Sequence, residues 1–116
     1  MVCGAKEGNV TLREHMFGGE GTAEVRALFE KGAYHGHCRL MAELTLKAGE
    51  SVGQHTHEGD EELIYMLEGT CRYEDNGRWT ELHAGDAALT RSGESHEICN
   101  DSDNTVRYLA VVLTDA

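Results

Sequence analysis

Two histidines, His55 and His57, stand two residues apart in the stretch Gly49-Glu50-Ser51-Val52-Gly53-Gln54-His55-Thr56-His57. In an extended strand, residues i and i+2 project to the same face, so both imidazoles can aim at one point. Neutral imidazole is a common metal ligand, and a converging pair is half of a metal site. The acidic run Glu58-Gly59-Asp60-Glu61-Glu62 follows at once, and the apolar run Leu63-Ile64-Tyr65-Met66-Leu67 comes after it. Glu62 is the best carboxylate, because it opens the next strand after a tight loop and an antiparallel return brings it beside the histidines. Glu61 is its rival. Facing alternates along a strand, so only one of the two points inward. A third nitrogen can come from His96, which opens a later strand after Gly93. Three imidazoles and one carboxylate leave open positions on a six-coordinate ion, as a catalytic or ligand-binding metal requires and a purely structural one does not. His35-Gly36-His37 repeats the His-x-His spacing, but no carboxylate is placed near it.

These side chains need strands to carry them, and the chain supplies strand patterns almost throughout. Residues 37–46 alternate, with Cys38, Leu40, Ala42, Leu44 and Leu46 on one face and His37, Arg39, Met41, Glu43 and Thr45 on the other. Strands are also expected over 51–57, 62–68, 70–74, 78–82, 87–90, 95–99 and 105–113, and a short one over 10–15. Residues 23–30 carry helix formers, yet Val25, Ala27 and Phe29 alternate with polar neighbours, and strand is the reading adopted. Asp75-Asn76-Gly77 is a hairpin signal, since Asn-Gly suits a type I′ turn. Residues 1–9 read as loosely ordered, residues 17–21 as a flexible turn and residues 58–61 as an acidic loop. Strands recurring with turn signals and without a convincing helix make an all-β sandwich or barrel.

The chain of 116 residues is the size of one domain, and its hydrophobic content of 40% against 6% aromatic implies a mostly aliphatic core. With 14 Gly and no Pro, glycine and asparagine must set the turns. A formal net charge of −11 is the opposite of a nucleic-acid footprint and disfavours an anionic membrane surface. An anionic ligand then needs a local cation, which a bound metal supplies. Cys3, Cys38, Cys71 and Cys99 are scattered and form no Cys-x-x-Cys pair. The first residues lack a signal-peptide core, and no stretch approaches the roughly 20 apolar residues of a membrane span. A cytoplasmic protein with reduced thiols is expected.

The spacing Gly49-x5-His55-x-His57-x4-Glu62-x6-Gly69 resembles the first motif of the cupin superfamily, and Gly85-x5-Arg91-x-Gly93-x2-His96-x3-Asn100 resembles the second. Residues 70–84 are similar to the short intermotif region of small microbial cupins. Arg91 departs from the pattern, since the family usually has Pro there; the change removes a rigid turn element but no ligand. The resemblance implies a single cupin domain over 1–116, folded as a double-stranded β-helix or jelly-roll barrel. It implies His55, His57, Glu62 and His96 as ligands of one divalent transition metal. Zn, Ni, Mn and Fe all accept that donor set. It further implies a homodimer in which N-terminal strands join the partner's sheet and protect open edges.

Around such a site, His37, Arg39, Met41 and Glu43 share a face that can line the pocket. Ile64 and Met66 share a face with Glu62, as Ile98 does with His96, and are expected as its apolar wall. Two functional readings follow. In one, the protein is a metal-dependent enzyme acting on a small oxygen-bearing metabolite by oxygenation, decarboxylation or isomerisation. In the other, it is a non-catalytic module that binds or senses a small molecule through its metal. A third reading, a metal that only clips strands together, conflicts with the open coordination positions.

Overall fold

Residues 1–115 are described by a computed structural model. They form ten strands: β1 (Asn9–Glu14), β2 (Thr22–Ala27), β3 (Cys38–Leu46), β4 (Ser51–Thr56), β5 (Asp60–Glu68), β6 (Thr70–Asp75), β7 (Arg78–His83), β8 (Ala87–Thr90), β9 (Ser95–Cys99) and β10 (Val106–Thr114). Among the described residues the one helical segment is a single 3-10 turn, Met16–Gly18, and no helix is long and apolar enough to cross a membrane. A six-stranded sheet runs β1-β2-β3-β10-β5-β8 and a four-stranded sheet runs β4-β9-β6-β7. Every pairing is antiparallel.

Alternation along the strands places the core between the two sheets. Ala42, Leu44 and Leu46 of β3, Ile64 and Met66 of β5, and Val106, Tyr108 and Ala110 of β10 are all buried, and Val52, Cys71, Tyr73 and Ile98 face them from the smaller sheet. Residues 23–30 resolve as strand over Thr22–Ala27, because Ala23 and Val25 bury against this core while Glu24 stays exposed. The Asn76-Gly77 hairpin takes positive φ at both residues (51° and 88°), as a type I′ turn demands. The four cysteines are free thiols. Burial pushes Cys71 up to about 12 and Cys99 up to about 11, so neither is a reactive thiolate near neutral pH.

Three details depart from simple alternation, and each bears on the site. Between β4 and β9, Val52 pairs with Ile98 but His55 pairs with His96, so β4 carries one extra residue there. Without that bulge, the face holding buried Val52 would continue through Gln54 and Thr56. With it, His55 and His57 turn inward on the same side as Val52. In β3, Leu40 pairs with Val112 and Cys38 with Leu113, which leaves Arg39 as the bulged residue. The acidic loop after His57 is also shorter than expected, since Asp60 and Glu61 already belong to β5. The N-terminal residues, expected to be loose, are tied down by Arg26, whose Nη1 donates to the Glu7 carbonyl at 2.8 Å.

Candidate metal centre

The two motifs meet where β4, β5 and β9 converge. His55 and His57 come from β4 and its end, Glu62 from β5, and His96 from β9. One donor atom from each lies within 4.8 Å of all the others. His55 Nε2 and His96 Nε2 are 3.0 Å apart, and His57 Nε2 and His96 Nε2 are 3.2 Å apart. Glu62 Oε1 stands 3.0 Å from His57 Nε2 and 3.4 Å from His96 Nε2. Donors bound to one ion at roughly 2.0–2.2 Å, with bond angles near those of octahedral or tetrahedral centres, sit about 2.8–3.6 Å apart. These four separations fall inside that range, so the donor chemistry and spacing suit a metal ion. Glu62, not Glu61, is the carboxylate brought to the histidines, because Glu62 shares the inward face with Ile64 and Met66.

The outer nitrogens of the imidazoles are also held. His55 Nδ1 is 2.8 Å from the Gly53 carbonyl, and His57 Nδ1 is 2.9 Å from Asp60 Oδ1. Both partners only accept, so each Nδ1 carries the proton, and in the neutral ring Nε2 keeps its lone pair for a metal. His96 Nδ1 lies 2.7 Å from Tyr73 Oη and 3.0 Å from Thr90 Oγ1, all three being buried. Asp60 also pairs with Arg39. The sequence places Asp60 in an acidic loop; the fold makes it the carboxylate that orients His57. The spacing His57-x2-Asp60 was visible, but the sharp return that joins the two was not.

Electrostatics follow from this packing. Burial pushes the Glu62 carboxyl upward, but its bonds to His57 and His96 outweigh burial and hold it at about 2. Glu62 is therefore ionised at any pH near neutral. His57 is raised, chiefly by its bond to Glu62 and with help from Asp60. His55 is lowered, chiefly by burial, which disfavours its imidazolium.

A cavity of about 210 Å³ opens in front of the cluster, bordered by His55, His57 and Glu62. Its apolar wall is Val25, Leu40, Leu44, Tyr108 and Val112, from β2, β3 and β10. Ile64, Met66 and Ile98, the expected wall, belong instead to the buried core behind the ligands. Of the four residues expected to share a pocket-lining face of β3, Arg39 borders the cavity, re-aimed by its bulge. The others lie elsewhere: His37 is exposed just before the strand, and Met41 and Glu43 keep to the outer face. There Glu43 pairs with Arg26 at 3.3 Å and with Arg107 at 2.9 Å. The side of β3 that reads as core in sequence is the side that builds the pocket, because the barrel interior serves as both.

The remaining border comes from the N-terminal segment: Arg13 of β1 and Met16 and Phe17 of the 3-10 turn. The sequence reads residues 17–21 as a flexible turn. Instead it docks on β4, and the Phe17 ring stacks on His55 with centroids 3.9 Å apart and planes 12° from parallel. Docking depends on bare backbone at two glycines. A Cβ on Gly53 would lie 2.1 Å from the Phe17 carbonyl oxygen, and one on Gly19 would lie 2.2 Å from the Ser51 carbonyl oxygen. Gly53→Ala is therefore expected to lift the turn off β4 and lower stability by about 1–3 kcal/mol through overpacking. Thermal melting checks this, with Gly36→Ala as the control, since nothing lies within 4 Å of a Cβ there. Equal melting temperatures for the two variants would refute the docking. A paired signal was present in sequence, the apolar Met16-Phe17 beside glycines, but nothing local tied it to His55.

The fold is that of the cupins: residues 42–112 match the cupin domain family, and the chain belongs to it. Among characterised relatives, it is 42% identical over 99 residues to the oxalate-binding protein of Thermotoga maritima, an alignment covering 85% of this chain and 82% of that one. A crystal structure described as a predicted oxalate decarboxylase from Thermotoga maritima superposes with a TM-score of 0.94 at 39% identity, covering 98% of this chain and 99% of that one. Similarity also extends, at 28% identity over 72% of this chain and 56% of the other, to the tetracenomycin polyketide synthase protein TcmJ of Streptomyces glaucescens.

Proposed function

We propose that the protein binds a small dicarboxylate of the oxalate type through one divalent transition metal held by His55, His57, Glu62 and His96. The observation that carries this reading is a four-donor cluster at metal spacing, with three of its members bordering a cavity of about 210 Å³. A cavity of that volume beside the cluster admits a ligand of several heavy atoms. The Thermotoga maritima oxalate-binding protein, and the structure from the same organism described as a predicted oxalate decarboxylase, support the ligand class. When bound, the metal supplies a Lewis acid that holds and polarises ligand oxygens. The chain's own residues keep three imidazoles oriented, keep Glu62 ionised and present an apolar wall to the ligand.

A second reading, decarboxylation of the bound ligand, is favoured by the description of the Thermotoga maritima structure. One experiment addresses both. Protein prepared without a histidine tag is analysed for metal and then titrated calorimetrically with oxalate, metal-loaded and after chelation. Oxalate binding that disappears on chelation and returns with metal is the expected result. Absence of binding by the loaded protein, or binding indifferent to metal, would sink the proposal. Formate and carbon dioxide accumulating in the same samples would establish turnover.

A further inference from the structure

We infer that Arg13 is the specificity-determining residue of this site, taking the outward carboxylate oxygens of a dicarboxylate whose other oxygens face the His/Glu cluster. The inference rests on the dicarboxylate reading above and adds to it the residue that reads the second charge.

Among the described residues, two arginines border the cavity, Arg13 and Arg39. Arg39 is already engaged. It pairs with Asp60, whose other oxygen holds His57 Nδ1, so drawing Arg39 away would loosen a cluster histidine. Arg13 is different. Its guanidinium makes no hydrogen bond or ion pair to the protein among the described residues. Its direction is nonetheless fixed by the sheet. Arg13 pairs directly with Ala23 across β1 and β2, and paired residues share a face. Ala23 is 1% exposed and lies on the inner face with Val25, which borders the same cavity. An exposed arginine on the cavity side of the sheet, with no protein acceptor among the described residues and in a chain of net charge −11, is therefore available to an anion from solution.

The chemistry selects the class of anion. A guanidinium presents a planar fork of donors that matches the two oxygens of a carboxylate. The rest of the border is apolar apart from the cluster and Arg39, so a second negative charge on the ligand finds its counter-ion at Arg13. A ligand of similar size with one carboxylate and a hydroxyl can still offer two oxygens to the metal, but gives Arg13 less to grip. Discrimination between oxalate and glycolate is thus assigned to Arg13.

The test compares wild type, Arg13→Gln and Arg13→Lys, each loaded with Mn²⁺, in calorimetric titrations with oxalate and with glycolate. For Arg13→Gln, oxalate affinity is expected to fall roughly 10- to 100-fold, the range for losing a hydrogen-bonded charge, while glycolate affinity moves less than about threefold. Metal content and melting temperature are expected to match wild type. Arg13→Lys keeps the charge without the fork and is expected to fall between, and it decides the matter should the glutamine variant fold poorly. Unchanged oxalate affinity in the variants overturns the assignment while leaving the dicarboxylate reading intact. Parallel loss of both ligands, or loss of metal, overturns it too, because that marks a structural role. Failure of the loaded wild type to bind oxalate removes both readings together.

Discussion

Replacing His55 and His96 together by alanine is expected to reduce bound metal from about one ion per chain to trace amounts. Loss of outer-shell partners alone commonly weakens metal affinity 10- to 100-fold, and these variants remove two donors from the shell itself. Elemental analysis of untagged protein reads the result. Unchanged metal content would show that the ion sits elsewhere. The same measurement made across pH tests the chemistry of the ligands. Bound imidazoles must be neutral, so protons compete with metal and affinity is expected to fall as pH drops below about 6.5.

The sign of each contribution can be worked through the metal-free protein. His57 is raised, chiefly by its bond to Glu62, so its ion pair contributes stability below the ordinary histidine value and loses it as pH rises through the raised one. Glu62 lies at about 2, where its histidine bonds outweigh burial, so its contribution is present above the ordinary carboxylate value and is lost as pH falls towards 2. The metal-free cluster therefore holds itself together best between those limits as a coupled His57–Glu62 pair. At higher pH that pair weakens, which leaves the same atoms free to take a metal. His55 is lowered, chiefly by burial, which favours the neutral form a metal requires. Flat metal retention down to pH 4 at equilibrium would contradict histidine ligation.

Asn100→Ala is expected to lower stability by about 2–3 kcal/mol, a fall in melting temperature on the order of 10 °C for a domain of this size. Asn100 is 1% exposed and every polar atom of its side chain is engaged. Nδ2 donates to the Leu46 carbonyl at 2.9 Å and to the Asn104 carbonyl at 2.7 Å. Oδ1 accepts from the Ser102 amide at 3.1 Å and from the Ser102 hydroxyl at 2.6 Å. The Asn100 main chain closes the same corner, donating to the Glu50 carbonyl at 2.9 Å and accepting from the Gly49 amide at 2.8 Å. The side-chain amide thus ties the end of β3 to the turn before β10, and the main chain of the same residue holds the turn before β4. Alanine strands buried carbonyls, and replacing an amide by nothing costs more than a pair removed together. Asn100→Asp is a sharper probe. It keeps both acceptors' shape but sets an anion against two carbonyl oxygens, so it is expected to be at least as damaging. Calorimetric melting of both variants checks this, and a loss under about 3 °C in each would show that water replaces the amide at no penalty.

The class of fold was legible because strand alternation and turn chemistry are local. Residues 38–46 alternate and form β3, and Asn76-Gly77 turns as its type requires. The four donors were legible for a similar reason: spacing along strands limits where a side chain can point, and two motifs in order bring complementary halves of one cluster together. Even the choice of Glu62 over Glu61 followed from alternation through to buried Ile64 and Met66.

What the sequence could not decide lies wherever register or long-range docking sets direction. Strict alternation would separate His55 from the face of Val52, and only the β4 bulge reconciles them. Arg39 borders the cavity for the same reason, while Met41 and Glu43 on the regular part of β3 do not. A bulge is a compromise between two strands, so neither strand announces it alone. Phe17 reaches His55 through backbone contact between segments more than thirty residues apart, and Asp60 reaches His57 by a tight return. The sequence by itself therefore determined an all-β barrel and the donor cluster, because both depend on short-range periodicity. Tertiary structure alone decided the border of the pocket, including Arg13, because that border is made by pairing register and by glycines that let separate segments touch.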